Sequence, residues 1–129
     1  MPKDLSVVVS NRPGMFDALR EATVRAGTPI EGVCAVSSMG QKVFHLLVSD
    51  EEVRGLRAAL EDAGLEVRLE RDVLVLDIPG GPRAIGQLAA RLAQAEVNVD
   101  LLYLATGDRL VLGVDSIDRA RTALIDFKG

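Results

Sequence analysis

Four segments of the chain carry apolar residues at one spacing, and this pattern constrains the fold more than any other feature. Within each segment the apolar positions fall at 0, 3, 7 and 10, which places them on one face of a helix. The sets are Phe16, Leu19, Thr23 and Ala26; Val53, Leu56, Leu60 and Ala63; Ile85, Leu88, Leu92 and Ala95; and Ile117, Ala120, Leu124 and Phe127. Thr23 is the only semi-polar member. The pattern therefore predicts four one-sided helices.

Signals at the helix ends agree with this pattern. Ser49 and Glu52 stand three residues apart ahead of the second helix, which is the spacing of a capping box. Gly27 and Gly64 follow the first two helices and are expected to end them.

Seven β-rich runs lie around the predicted helices. They are Leu5–Ser10, Ile30–Ser37, Lys42–Val48, Leu65–Arg71, Val73–Ile78, Val99–Ala105 and Arg109–Val114. Short turns at 38–41 and 106–108 join two of the pairs as hairpins. The order predicts an α+β fold of two ferredoxin-like βαββαβ units in tandem, with antiparallel sheets and the helices on one face.

The two halves are an internal duplication. Pro13-Gly14 recurs as Pro79-Gly80 sixty-six residues later, and Ala26-Gly27 is answered by Ala95-Glu96. We expect one unit over residues 1–71 and a second over residues 72–129, which lacks its last strand. The edge formed by Val73–Ile78 should then be unpaired or paired by another chain.

Composition excludes several classes of function. Nineteen acidic residues against fifteen basic ones, with four aromatic residues, do not suit a nucleic-acid binder. The single cysteine, Cys34, excludes an internal disulfide and a cysteine metal cluster. No apolar stretch approaches the roughly 20 residues of a membrane span, and the first residues do not form a signal peptide. We expect a cytoplasmic protein without a cofactor, a metal or a membrane partner.

The segment Val8–Leu19, with its Asn11-Arg12-Pro13-Gly14 turn between strand and helix, resembles the opening of an ACT domain. The second half repeats it at Leu76–Gly80. Ala95–Asp100 is similar to the family's usual step from helix to second strand, and Asp108–Leu124 to its last hairpin and helix. The resemblance covers nearly the whole chain.

The resemblance implies a non-catalytic, allosteric regulatory module. ACT domains commonly bind free amino acids at an interface between two such units, so a homodimer and a regulated enzyme are the expected partners. Three departures make the two potential sites inequivalent: Glu96 stands where a glycine is usual, the loop Gly80–Arg83 is longer, and the last strand is missing.

The turn at Pro13-Gly14 has the chemistry to hold an amino acid. Backbone amides at a helix start, together with the helix dipole, attract a carboxylate, and Gly14 allows close approach. Asn11 offers an oxygen to an ammonium and an NH₂ to a carboxylate, whereas Asp77 offers only oxygens. The start of each second strand is expected to supply the opposing wall. The predicted ligand-binding residues are Asn11, Arg12, Pro13, Gly14, Met15, Phe16, Ile30, Asp77, Pro79, Gly80, Gly81, Asn98 and Val99.

Each candidate also has a structural interpretation. A Pro-Gly pair after a strand is an ordinary turn, and Arg12 and Arg83 are ordinary surface arginines. His45 is expected to be a partly covered structural histidine and Cys34 a small apolar strand residue. For the whole chain the alternatives are an assembly module that binds no metabolite and an acylphosphatase-like hydrolase.

Overall fold

The computed structural model describes residues 1–127, and the chain divides into two compact units. Unit 1 is Met1–Asp72, and unit 2 begins at Val73. The same succession of strands and helices builds both.

Unit 1 is a four-stranded antiparallel sheet with two helices. Its elements are β1 (Lys3–Ser10), α1 (Met15–Ala26), β2 (Gly32–Ser38), β3 (Gln41–Val48), α2 (Val53–Asp62) and β4 (Glu66–Asp72). The strand order is β2-β3-β1-β4, and all neighbouring pairs are antiparallel. This arrangement confirms the predicted βαββαβ unit.

Unit 2 repeats that order with one strand fewer. Its elements are β5 (Leu74–Asp77), α3 (Pro82–Gln94), β6 (Val99–Ala105), β7 (Arg109–Val114) and α4 (Ile117–Ala123). The sheet order β5-β7-β6 leaves β5 at an edge, with no strand beyond it among residues 1–127. The prediction that the second unit lacks its last strand is therefore confirmed for the described part of the chain.

Each unit buries its own apolar core between sheet and helices. Alternate residues of β1 (Leu5, Val7 and Val9) point to one face, as the period of a strand requires. The remaining buried members of the unit 1 core are Leu19, Ala22, Phe44, Leu46, Val48, Val53, Leu56, Leu60 and Leu65. The unit 2 core contains Leu74, Ile78, Ala84, Leu88, Leu92, Val97, Leu110, Leu112, Val114, Ala120 and Leu124. Burying one such side chain contributes about 1.5–3 kcal/mol.

The buried face of α1 is rotated from the predicted one. Leu19 and Ala22 are buried and Met15 packs against the core, whereas Phe16 is 62% exposed. At 3.6 residues per turn, Met15, Leu19 and Ala22 form a continuous stripe that leaves Phe16 at its border. Phe16, which the spacing placed on the apolar face of α1, therefore lies outside the core. No helix within residues 1–127 is both long and apolar enough to cross a membrane.

The predicted capping box does not form. The helix α2 begins at Val53 after Glu52, which makes no side-chain cap, and the N–H of Glu52 instead donates to the Ser49 carbonyl at 3.2 Å. A turn therefore separates Ser49 from the helix it was expected to cap. In unit 2 a serine does cap: Ser116 Oγ accepts the N–H of Arg119 at 3.2 Å at the start of α4.

The helix C-termini and the hairpins follow the predictions more closely. Gly27 ends α1 with a φ of 66°, and Gly64 follows α2 with a φ of 78°. Met39 and Gly40 join β2 to β3 with positive φ at both positions, which is the type I′ geometry that matches the twist of a hairpin.

Candidate functional site

The β1–α1 loop, residues 11–14, follows the last paired residue of β1. The N–H of Asn11 donates to the Gly40 carbonyl at 3.0 Å, and the N–H of Arg12 donates to the Ser10 carbonyl at 2.9 Å. Gly14 precedes α1 with a φ of 89°, a conformation in which any side chain is strained. Backbone geometry therefore requires glycine at this corner, and no side chain caps the helix there.

The Asn11 side chain ties this loop to the end of β2. Its Oδ1 accepts the hydroxyl of Ser37 at 3.3 Å. Arg12 and Pro13 are exposed, and Arg12 makes no ion pair within residues 1–127. Asn11, but not Arg12, is therefore held in place by a side-chain hydrogen bond.

A cavity of about 370 Å³ lies beside Ser37, and we call it the β2–β3 cavity. Its lining residues are Phe16, Val33, Cys34, Ala35, Ser37, Lys42 and Phe44. The rings of Phe16 and Phe44 are stacked with centroids 5.6 Å apart, and the Lys42 Nζ lies 5.7 Å from the Phe44 centroid. Phe16 thus lies outside the core and forms part of the cavity wall. Sequence analysis missed Lys42 and Phe44, because only the strand register brings β3 beside the start of α1.

The start of β2 does not form the expected opposing wall within unit 1. Ser10 and Ser38 both lie opposite Gln41, whereas Gly32 lies opposite Leu47. The two ends of β2 are six residues apart, or about 20 Å along the strand. Ile30 precedes the far end and packs against the core. Ile30 and Asn11 therefore lie at opposite ends of the sheet.

Unit 2 separates its predicted residues in the same way. Asp77 and Ala105 both lie opposite Arg109, whereas Val99 lies opposite Val114 at the other end. The N–H of Asn98 donates to Asp115 Oδ1 at 3.1 Å, which fixes Asn98 to the turn after β7. Asn98 and Val99 are thus distant from Asp77 within this unit.

Strand register also corrects the pairing of Asn11 with Asp77. Asp77 faces Arg109 as Ser10 faces Gln41, each at the first residue of the third strand. The residue that takes the place of Asn11 is Ile78, whose N–H donates to the Asp108 carbonyl at 2.9 Å. Its side chain is 1% exposed. Unit 2 therefore buries an apolar residue where unit 1 presents an amide.

The rest of the second loop is placed accordingly. Gly81, with a φ of 68°, precedes α3 as Gly14 precedes α1, and Pro82 is the first helical residue. Pro79 and Gly80 are exposed between β5 and this corner. The Pro-Gly pairs of the two units match in sequence but not in position relative to their helices.

A polar cluster that sequence analysis missed lies on unit 1, with Asp4, Ser6 and His45 as its members. The His45 Nδ1 lies 2.9 Å from Asp4 Oδ2 and 3.4 Å from Ser6 Oγ, and the Asp4 side chain is fully buried. Both contacts use the same ring nitrogen, so the imidazole does not relay a proton from Ser6 to Asp4 as a catalytic triad requires. The signal was present in the sequence, because Asp4 and Ser6 alternate with core residues on β1.

Cys34 lies opposite His45 on the neighbouring strand. Burial raises the pKa of the Cys34 thiol, and the negative charge of Asp4 raises it further. Both causes disfavour the thiolate, which is the nucleophilic form. No group of three metal-ligating side chains occurs within the described residues 1–127.

A larger groove of about 520 Å³ runs beside α2 in unit 1 and carries charges of both signs. Arg57 Nη1 lies 3.1 Å from Glu70, and Lys3 binds Asp72 and lies 3.7 Å from Asp50. The hydrogen bond to Asp72 is the main cause that raises the pKa of Lys3. Lys3 and Arg57 thus each have acidic partners, and the Arg57–Glu70 pair joins α2 to β4.

Several solved structures have the same fold as this chain. A protein from Bacteroides thetaiotaomicron matches with a TM-score of 0.82 and 20% identity, covering 96% of this chain and 86% of its own. The regulatory subunit of aspartate kinase from Thermus thermophilus, in a ligand-free form, matches with a TM-score of 0.74 and 14% identity, covering 96% and 88%. The chain has the tandem ACT fold.

A third solved structure matches over the same share of the chain. The aspartate kinase regulatory subunit from Thermus flavus matches with a TM-score of 0.65 and 14% identity, covering 96% of this chain and 90% of its own. No family model and no curated protein matches the sequence. The predicted ACT resemblance is thus confirmed for the fold.

Proposed function

We propose that the chain is a non-catalytic regulatory protein whose first ACT unit binds a free amino acid beside the β1–α1 loop. The observation that carries the proposal is the position of Asn11, an exposed amide held by Ser37 at the margin of the β2–β3 cavity. An amide offers both an acceptor for an ammonium and a donor for a carboxylate. The likeness to regulatory subunits of aspartate kinase supports a regulatory role.

The mechanism we propose is a shift of population. A ligand changes a regulatory protein only by binding one arrangement better than another. The chain would then pass this change to a partner, such as an enzyme that it regulates. The amino acid is the signal, and no covalent step is involved.

We further propose that the chain acts as a homodimer that joins two β2 edges. The strand β2 lies at an edge of its sheet, and Val33 and Val36 are 44% and 62% exposed there. A two-fold axis beside this edge pairs the strands antiparallel and brings the Ile30 end of one copy to the Asn11 end of the other. Dimerisation would thus reunite residues that lie about 20 Å apart within one unit.

Thermal unfolding against each of the twenty amino acids tests the proposal. A ligand at about 100 times its Kd adds roughly 2.7 kcal/mol, which shifts the midpoint by several degrees. We expect one chemically coherent group to raise the midpoint and Asn11→Ala to remove the effect. Gln87→Ala, an exposed amide on α3, is the matched control and should leave the shift unchanged. A wild-type midpoint that no amino acid moves contradicts the proposal.

The second candidate function, an assembly module without a metabolite, is favoured by the same open edge of β2. Replacing Val36 by Lys on that edge should dissociate the assembly, since a charged edge residue opposes strand pairing. The mass in solution, measured by light scattering, distinguishes the candidates when it is recorded with and without the amino acid. A pure assembly module dimerises regardless of amino acids and tolerates Asn11→Ala.

A further inference from the structure

The β2–β3 cavity combines apolar walls with a single charge. Phe16, Val33, Ala35 and Phe44 contribute apolar surface, Ser37 contributes a hydroxyl, and no acidic residue lines the cavity. Binding sites for small metabolites have this composition: mostly apolar walls with a few polar groups that fix orientation. The volume of about 370 Å³ lies at the low end of the range for such sites, which suits one amino acid.

The charge is that of Lys42, and no acidic side chain within residues 1–127 pairs with it. Lys42 is partly buried, and its Nζ lies 5.7 Å from the centre of the Phe44 ring. Lys3 differs from Lys42 because it forms ion pairs with both Asp72 and Asp50. A partly desolvated ammonium above an aromatic ring attracts a carboxylate more strongly than one in open water.

The apolar part of the cavity is formed in advance. Phe16 is 62% exposed, yet its ring is stacked on the buried ring of Phe44 at an interplanar angle of 22°. An apolar ligand side chain that covers Phe16 removes aromatic surface from water, and burial of such surface is favourable in proportion to its area. Because the rings are already ordered, little side-chain entropy is lost on binding.

Unit 2 provides an internal comparison. It repeats the order of strands and helices, but other side chains stand at the positions that line the cavity in unit 1. Leu110 lies opposite Leu76 as Lys42 lies opposite Val9, and Leu110 is 0% exposed. Leu112, the fourth residue of β7 as Phe44 is of β3, is also fully buried. Arg83 is the second residue of α3 as Phe16 is of α1, and Ile85 takes the place of Phe16 in the apolar pattern of α3, so neither position is aromatic in unit 2.

We propose that each chain carries one amino-acid site, the β2–β3 cavity of unit 1, and that this site selects an amino acid with an apolar side chain. The inference rests on the proposed function and adds the class of ligand. The Lys42 ammonium pairs with the ligand carboxylate, and Phe16 with Phe44 contacts the ligand side chain. Lysine and arginine are disfavoured by the charge of Lys42, and aspartate and glutamate by the apolar walls.

Isothermal titration of the full chain tests the ligand class. The probes are leucine and phenylalanine, their carboxamides, in which the carboxylate is replaced by a neutral amide, and aspartate and lysine. We expect leucine or phenylalanine to bind with one site per chain, and the matching carboxamide to bind at least about tenfold more weakly. Selection of aspartate or lysine, or equal affinity for acid and carboxamide, would overturn the inference.

Variants at position 42 test the role of the ammonium. Lys42→Gln should weaken binding at least about tenfold and abolish the difference between acid and carboxamide. Lys42→Arg keeps the charge and should retain that difference. Arg83→Gln removes an exposed cation from the equivalent helix end of unit 2 and is the matched control, with unchanged affinity expected.

The outcomes separate this inference from the proposed function. If an amino acid binds and Asn11→Ala prevents it while Lys42→Gln has no effect, the proposed function stands and the role of Lys42 is refuted. If the stoichiometry is two per chain, the restriction to unit 1 is refuted. If no amino acid binds the unaltered chain, both fail.

Discussion

Lys42 of β3 and Leu110 of β7 are each the second residue of the third strand of their unit, but only one of them carries a charge. Lys42 is partly exposed above the ring of Phe44, whereas Leu110 is completely buried in the core of unit 2. The duplication has thus kept the sheet and changed one site within it.

Replacing Glu96 by glycine should stabilise the chain. Glu96 follows the C-cap of α3 with a φ of 56°, and Gly27 has a similar φ of 66° at the end of α1. A left-handed conformation costs a residue with a Cβ about 1–2 kcal/mol, and the greater freedom of glycine in the unfolded chain offsets part of that gain. We expect Glu96→Gly to raise the free energy of unfolding by about 0.5–1 kcal/mol in a urea titration. Glu96→Ala keeps the Cβ and should give little gain; equal gains would assign the effect to the charge.

The side chain of Arg119 holds this same corner together. Its Nη2 donates to the carbonyls of Ala95 and Glu96, both at 2.7 Å, and so satisfies acceptors at the C-terminus of α3. We expect Arg119→Met to lower the free energy of unfolding by about 1 kcal/mol, since the contacts are charged but exposed. Arg83→Met removes an arginine at the other end of α3 and should change stability by less than about 0.5 kcal/mol. Equal effects would show that Arg119 acts only through net charge.

Two carboxylates at the same distance from their partners should differ in importance. Asp4 Oδ2 lies 2.9 Å from His45 and is fully buried, whereas Asp17 Oδ1 lies 2.9 Å from Arg20 and is 62% exposed. Removing a buried carboxylate leaves its partners unsatisfied, so Asp4→Ala should cost about 3 kcal/mol. Asp17→Ala should cost less than about 1 kcal/mol, because water already solvates both ions. Thermal and urea unfolding of the two variants measure the difference, and similar losses would contradict it.

The Cys34 thiol should react slowly, and its reaction should depend on pH in a defined direction. Burial, followed by the charge of Asp4, raises the pKa of Cys34. Alkylation by iodoacetamide, followed by mass spectrometry, should therefore accelerate only above the ordinary cysteine pKa of about 8.5. The same titration in concentrated urea should show the ordinary pKa. Because the unfolded thiol loses its proton first, stability should fall as the pH rises from the ordinary pKa to the raised one.

A variant separates the two causes of this shift. Asp4→Asn removes the negative charge and should lower the pKa of Cys34, but only in part, since burial is the larger cause. A complete return to the ordinary pKa would show that the Asp4 charge dominates.

Much of the fold could be predicted from the sequence because it follows from local geometry. The predicted strands Val99–Ala105 and Arg109–Val114 have the same bounds in the structure, and their turn contains Gly107 and Asp108 with positive φ. The role of Gly27 at the end of α1 could be predicted because it depends only on the conformation of the glycine backbone. The repeated βαββαβ order could be predicted from these local patterns of strands, turns and helix ends alone.

The candidate site could be predicted only in part. The sequence placed Asn11 and Gly14 in a loop between strand and helix, where the structure has them. The sequence repeat made Asp77 the equivalent of Asn11. Counted from the strand pairs Ser10–Gln41 and Asp77–Arg109, the equivalent of Asn11 is instead Ile78. A shift of one residue between the two units cannot be recognised from the repeated Pro-Gly pair. It nevertheless places a buried side chain in unit 2 where unit 1 has an exposed amide.

By itself, the sequence determined the elements, their order and the duplication, because helical and strand periods arise from neighbours three, four or two positions away. The tertiary structure alone decided that Lys42 lies above Phe44, that Phe16 leaves the core, and that Ile30 is distant from Asn11. Each of these facts depends on which residues face one another across strands. Such pairings join positions that are far apart in the chain, and their register is set by the packing of the whole unit.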